Sequence, residues 1–550
     1  MATDQPSSSA SARTVPPRLA VAVAALLLAL AAAAVIVVIA TGTSMGKRQP
    51  AIQSIFQDDA KLVYARPGRV AKTIKLLRAL GVDDLRITVR WLDVAPDVTS
   101  PTRPPGFDAT NPAAYPPSSW APYDRVVKLA RANGLYVDFN VTAPGPAWAM
   151  QPGAPNATDA SHFVPSPAAY GEFMTALGRR YSGTYLPEGS RSTLPRVNFW
   201  TIWNEPNQPG WLLPQWTSIG GQLVMAAPTL YRALVDAGYG ALTATGHRKD
   251  TILIGELAPE GRELPGIAAP IPPMPFLRAL YCVGAGYQPL LGQRATTIGC
   301  PANGNPAQFV KAHPGLFNVS GFAHHPYSFF LAPSVAVSDR NFVPLANLGR
   351  LEDALDSIFM TYDPNVSLPV YLTEYGYETN PPNPYRGVSL RQQSEYLNQA
   401  QFLAFQDLRV RSLAQFLLVD SPPDTRYRRG SVRYWSTFQT GLEFLGGRAK
   451  PSLNSYRLPI YLPRSTARPG TRTLVWGMLR LAPNGTRQRA QIQWRPLGGE
   501  YRTLTTASTT NPVGFISAQV RLPASGSVRI VWTSSGGQVF HSRSVGVTVG

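Results

Sequence analysis

Two glutamates in this chain end short apolar runs. One lies in Asn198-Phe-Trp-Thr-Ile-Trp-Asn-Glu-Pro-Asn207, where Phe199, Trp200, Ile202 and Trp203 read as a strand covered on both faces. Pro206 has no N–H to offer a ladder and stops it, leaving Asn204 and Glu205 at the carboxyl end. The other lies in Leu368-Pro-Val-Tyr-Leu-Thr-Glu-Tyr-Gly376, where Glu374 again follows a short apolar strand. A carboxylate at such a place is costly to bury, so it must be hydrogen-bonded or chemically employed. Two of them suit cleavage of a glycosidic bond. One, protonated, gives a proton to the leaving oxygen; the other, ionised, attacks the anomeric carbon or activates water. The plainer alternative is a pair of unrelated structural acids.

The elements that must position this pair alternate along the chain. Strands are expected at 51–56, 84–91, 135–141, 198–203, 251–257, 319–323, 368–373 and 413–419, and helices at 69–80, 123–133, 168–181, 351–361 and 394–409. Strand–helix alternation is the mark of parallel βα units. Eight strands with long loops after them favour an α/β fold of the (β/α)8 barrel type over residues 50–462, with chemistry at the carboxyl ends. An open doubly wound sheet is the alternative, but no Gly-x-Gly-x-x-Gly turn follows any strand. Arg86, Thr88 and Arg90 alternate onto one strand face, and arginines facing a barrel interior need acidic or substrate partners. Composition shifts after 459–470. Residues 470–550 carry β-rich runs separated by turn signals and read as an all-β sandwich, with Trp476, Trp494 and Trp532 as core.

The N-terminus is different. Residues 1–17 have little to bury and read as a disordered cytoplasmic tail. An unbroken apolar run at 19–40 follows, roughly 33 Å long as a helix and enough to cross a bilayer. It exceeds the apolar core of a cleavable signal, so 18–42 is expected to be a transmembrane anchor with the large body exported: a single-pass protein whose folded part is extracytoplasmic. Cys282 and Cys300, close together in one loop-rich excursion, suit a local disulfide in an oxidising compartment, with free buried thiols as the alternative. No Cys/His grouping has zinc-ligand spacing, and no metal or other cofactor is expected. The formal charge of +19 is spread along the chain rather than gathered into a stripe, which suits a general attraction to anionic lipid or an acidic cell-surface polymer, not nucleic acid.

Residues 50–460 resemble the retaining glycoside hydrolases of the large barrel superfamily, closest in motif to families 5 and 39. Those families include cellulases, mannanases and β-xylosidases. Asn204-Glu205-Pro206 matches their strand-four motif, so the resemblance makes Glu205 the general acid/base and Asn204 the residue binding the sugar 2-hydroxyl. Glu374 falls on the strand-seven nucleophile. Arg86 matches the strand-two arginine beside that nucleophile, where a cation favours the ionised carboxylate. His325-Pro326-Tyr327 matches the strand-six His-x-Tyr, which implies a hydrogen bond from Tyr327 to Glu374. The superfamily often carries a Trp at the end of strand eight as a sugar platform, yet this chain has Leu417-Leu-Val-Asp420 there. Trp148 and Trp435, from neighbouring loops, are the expected substitutes. The C-terminal segment resembles the immunoglobulin-like or fibronectin-like modules attached to such enzymes.

The resemblance implies an anchored, exported retaining glycosidase working by double displacement. Its rivals are a surface carbohydrate-binding protein on a lapsed barrel, and a transglycosidase that excludes water from the same intermediate. Arg86, Asn204, Glu205, Tyr327 and Glu374 are all present, which favours the enzyme.

Overall fold

The computed structural model describes residues 52–262, 264–482 and 486–550. The expected tail and anchor lie outside the described residues, and among the described residues no helix is long and apolar enough to cross a membrane.

Short runs rich in Val, Ile, Leu and aromatic residues form eight strands: β1 (Gln53–Gln57), β2 (Asp84–Arg90), β3 (Tyr136–Thr142), β4 (Phe199–Ile202), β5 (Thr251–Leu257), β6 (Gly321–His324), β7 (Val370–Leu372) and β8 (Val410–Phe416). Each pairs in parallel with the next, and β8 returns to β1, closing a barrel with no free edge. Inward-facing Ile55, Phe199, Leu253, Ala323 and Ala414, with Tyr371, form an apolar plug of their own. Nearer the carboxyl ends the inward positions turn polar, with Gln57 on β1 and Arg86 and Thr88 on β2, all buried. The barrel therefore has a closed, mostly apolar floor, with buried Asp84 in register with Ile55, and a polar upper storey.

The outer helices are α1 (Pro67–Ala79), α2 (Pro117–Ala132), α3 (Pro167–Arg180), α4 (Ala227–Ala244), α5 (Pro273–Leu280), α6 (Leu348–Tyr362), α7 (Leu390–Gln406) and α8 (Pro451–Arg457). Proline occupies the first turn of most of them, where its missing N–H costs nothing. Ser389 and Gln392 close a capping box on α7. The sequence reading placed no helix at α4, whose Gly238 and Gly240 weaken the helical signal. Packing overrides propensity there: a Cβ on Gly238 would sit 3.2 Å from the Ile202 side chain, so the glycine lets α4 lie close on β4. After α5 a long excursion is tied by the Cys282–Cys300 disulfide, the pairing expected from their proximity.

Nine further strands follow: β9 (Ile460–Tyr461), β10 (Thr466–Ala467), β11 (Arg472–Met478), β12 (Gln488–Pro496), β13 (Arg502–Thr509), β14 (Phe515–Arg521), β15 (Gly526–Thr533), β16 (Val539–His541) and β17 (Val545–Val549). One sheet runs β9-β11-β14 and the other β10-β17-β15-β12-β13, with β16 on β15. Val475, Ile516 and Val520 of the first meet Ile492, Ile530 and Val547 of the second in one apolar core. Trp494 and Trp532 lie in that core. Trp476 is equally buried but packs on the barrel, its ring 5.5 Å from those of Phe402 and Phe405 on α7. β9 starts ten residues ahead of the expected start at 470, because its pairing with β11 completes the smaller sheet. Arg480 reaches Ser54 and Gln401 at the amino-terminal end of the barrel. A Cβ on Gly81, whose φ is +77°, would lie 2.5 Å from Arg480. The sandwich thus covers the barrel's closed end and leaves the mouth free.

Candidate active site

The mouth holds a cavity of about 620 Å³, and Asn204, Glu205, Tyr327 and Glu374 line it. β4 ends in a distorted backbone. Trp203 and Glu205 have φ of +68° and +34°, values L-residues avoid, so surrounding contacts must hold them. Trp203 N–H donates to Val141 O at 2.9 Å, and Asn140 Nδ2 donates to Trp203 O at 2.6 Å. The distortion turns Glu205 over the barrel, where its side chain keeps 19% of its exposure.

Arg86, fully buried, is the centre of the upper storey. Nη1 donates to Glu374 Oε1 at 2.7 Å and to the Gln57 amide oxygen; Nη2 donates to Asn204 Oδ1 at 2.7 Å and to Glu256 Oε2 at 2.5 Å. Burial would lower its basicity, but Glu256 and Glu374 outweigh that and raise it. It is a permanent cation, and its planar fork fixes four partners from four strands. Tyr327 O–H donates to the other Glu374 oxygen, Oε2, at 3.0 Å. Burial, with Glu374 and Glu205 nearby, pushes the phenol well up, so it stays a donor.

His325 continues the network. Nδ1 lies 2.8 Å from Glu205 Oε1 and Nε2 lies 2.5 Å from Glu256 Oε2. Burial alone would depress its basicity, but Glu374 and Glu256, with the hydrogen bonds to Glu205 and Glu256, lift it to about 10. Both ring nitrogens then carry protons at neutral pH and both donate. Its neighbour His324 faces the other way, 2.7 Å from Val343 O, and burial pushes it down to about 4. One member of the His-His pair is a buried cation and the other a neutral structural imidazole.

Glu205, His325 and Glu374 each bring an atom to within 4.8 Å of the others, a spacing that could hold a metal ion. The donor set does not fit one. Both nitrogens of His325 are already engaged, by Glu205 and Glu256, and Arg86 already occupies one oxygen of Glu374. The arrangement is suited to moving protons and attacking with a carboxylate.

Six of the expected residues, Arg86, Asn204, Glu205, His325, Tyr327 and Glu374, come together. Trp148 and Trp435 do not line the cavity. Trp148 donates its indole N–H to Pro96 O at 3.0 Å and packs edge-on against Trp91 and Phe107, holding the rim from outside. Trp435 stacks edge-on with Tyr434 in the loop after β8. The aromatic faces that do line the cavity include Tyr64, Trp211, Phe416 and Phe438, and Phe416 occupies the end of β8. Glu256 was missed altogether. It interrupts Ile252-Leu-Ile-Gly-Glu-Leu257, so the rule that found Glu205 and Glu374, a carboxylate near the end of an apolar strand, would have flagged it.

No protein-family model matches this chain, and neither does any curated protein sequence. Among solved structures it is similar to a family 1 β-glucosidase from Thermotoga maritima, at 14% identity and a TM-score of 0.44, over 71% of this chain and 85% of that one. It is also similar to GH5_18 from Streptomyces cattleya, at 14% identity and a TM-score of 0.43, over 76% and 84% of the two chains. A GH30 endoxylanase from Clostridium papyrosolvens matches at 10% identity and a TM-score of 0.41, over 87% and 96%. At such values the chemistry has to be read from the side chains themselves.

Proposed function

We propose that this chain is a retaining glycoside hydrolase with Glu374 as nucleophile and Glu205 as general acid/base. The observation that carries this reading is that an oxygen of Glu205 and an oxygen of Glu374 approach within 4.8 Å across an open cavity. Retaining enzymes hold their carboxyl groups about 5–5.5 Å apart, whereas inverting enzymes leave about 6.5–9.5 Å for a water.

The division of roles follows from the partners. Arg86 and Tyr327 donate to the two oxygens of Glu374 and so orient the carboxylate toward the anomeric carbon. Glu256 and Glu374 both sit on the guanidinium; Glu205 does not. In the first step Glu205 gives its proton to the leaving oxygen, the glycosidic C–O bond breaks, and Glu374 forms an ester to the anomeric carbon. In the second, Glu205 takes a proton from water, whose oxygen displaces Glu374. Asn204, held by Arg86, presents its amide to the sugar beside the anomeric centre. Cys282–Cys300 and the apolar run at 19–40 support an exported body on a membrane anchor, acting on a carbohydrate at the cell surface.

The test is reducing-sugar release by the full chain across polysaccharides and aryl glycosides, with Glu374→Gln alongside. Release that the substitution abolishes is expected. Bound sugar with no release on any substrate would overturn the reading in favour of a binding protein.

A further inference from the structure

Glu256 is the one carboxylate of the cluster that cannot touch a substrate. Its side chain is fully buried and it does not line the cavity. The backbone is nevertheless distorted to bring it inward. Leu253 faces the barrel interior. Strict alternation then puts position 256 outside, among the helices. The pairing of β5 with β6 slips between Gly255 and Leu257, leaving Glu256 as an extra residue, with φ of +51°. Bulges re-aim single side chains, and a non-glycine residue in this region persists only where its surroundings over-determine it. The re-aimed carboxylate meets Arg86 Nη2 and His325 Nε2 with one oxygen, 2.5 Å from each.

Resting on the glycosidase reading, we propose that Glu256 is a positioning residue: its negative charge against His325 Nε2–H holds the ring as a cation, so that Nδ1 also donates, to Glu205 Oε1, leaving Glu205 Oε2 as the oxygen that carries the proton to the leaving group. The geometry supplies the reason. A neutral His325 with its proton on Nε2 would present a lone pair at Nδ1. Glu205 would then point its proton at the histidine, away from the cavity. Arg86 can only donate, so it would hold the oxygen of a glutamine at position 256 in the same place and favour that tautomer. Burial opposes the charge on Glu256, but Arg86 and His325 outweigh it and hold the carboxyl below its ordinary range, so the anion persists.

The experiment compares kcat/KM, which reports formation of the glycosyl-enzyme, for two aryl glycosides of the same sugar. A dinitrophenyl leaving group needs no proton; a methoxyphenyl one does. In Glu256→Gln of the full chain the methoxyphenyl substrate is expected to fall about 10²-fold further than the dinitrophenyl one, the scale of general acid catalysis. Equal losses on both substrates would overturn the inference and leave a structural role. A wild type inactive on such glycosides of every sugar in the panel would instead overturn the glycosidase reading beneath it. Because Glu256→Gln also strips a partner from buried Arg86, the wild type supplies a second measurement that needs no variant. With ¹⁵N-labelled histidine, and Glu205 and Glu256 as its partners, His325 is expected to show both ring nitrogens protonated at pH 7.5, assigned among the six histidines by His325→Gln. A neutral His325 in the wild type would overturn the inference whatever the kinetics.

Discussion

Arg86 and Glu374 stand 288 positions apart in the chain, and the barrel brings Nη1 of one to 2.7 Å from Oε1 of the other. The guanidinium is wholly buried and the carboxylate nearly so. A buried pair of this kind is retained for what it does to the site, since burying it costs as much as its attraction returns. Its disruption should therefore show in both stability and activity. Arg86→Lys keeps the charge but loses the planar fork, and should lower activity at least about 10²-fold. Arg86→Ala strips the guanidinium from Glu256 and Glu374 and should cost about 3–5 kcal/mol, read by urea unfolding. An Arg86→Lys variant of unchanged rate would show that the fork does not position the site.

Stereochemistry separates the two carboxylates. Following the reaction by NMR should show the product first with the substrate's anomeric configuration, as two displacements require. Glu205→Ala should lose about 10²–10⁴-fold on substrates with poor leaving groups and recover with azide, giving a glycosyl azide of retained configuration. Inverted product from the wild type would mean that Glu374 activates water instead.

His325 links the site to pH. Its basicity in the folded chain, about 10, lies above the ordinary value of 6.5. The folded state therefore binds this proton more tightly than the unfolded chain does. The stability so contributed is fully present below about pH 6.5 and is lost as pH rises through about 10. The melting temperature of the wild type should fall across that window more steeply than that of His325→Gln, the difference corresponding to a few kcal/mol. Parallel curves would mean that His325 is not held as a cation.

The cavity aromatics and the rim aromatics should part in kinetics. Trp211→Ala removes a ring facing the cavity and should raise KM about tenfold, the scale of about 1.4 kcal/mol for a lost stacking face. Trp148→Ala should leave KM within about twofold while lowering the melting temperature, because its ring is spent on Trp91 and Phe107. A large rise in KM for Trp148→Ala would return it to the substrate.

The eight-strand alternation, the disulfide, Glu205 and Glu374 were legible in the sequence because each leaves a local mark, whereas the roles of Arg86, Asn204, His325 and Tyr327 came from the family resemblance. Apolar runs of strand length announce β-structure, and a carboxylate or amide at their ends breaks the run visibly. The two-residue spacing of Arg86, Thr88 and Arg90 put all three on one face without saying which one; the family resemblance placed Arg86 beside Glu374. What failed were judgements about where a side chain points once a strand or loop departs from regularity. Trp148 and Trp435 are large rings in loops near the site, and composition cannot say which face of a loop turns inward. The helix α4 was hidden by its glycines, of which Gly238 lets it lie close on β4.

Glu256 draws the line most clearly. The sequence by itself determined that a glutamate lies near the end of an apolar strand; with Leu253 facing the barrel interior, regular alternation would put that residue outside. Only the tertiary structure decided otherwise. β5 carries one residue more than β6 can pair with, the backbone at Glu256 turns to positive φ, and the carboxylate swings to Arg86 and His325. Chain periodicity sets a side chain's face only while the ladder is regular. A bulge depends on the neighbouring strand and on the charges waiting inside, which the closed barrel brings together from β2 and β6.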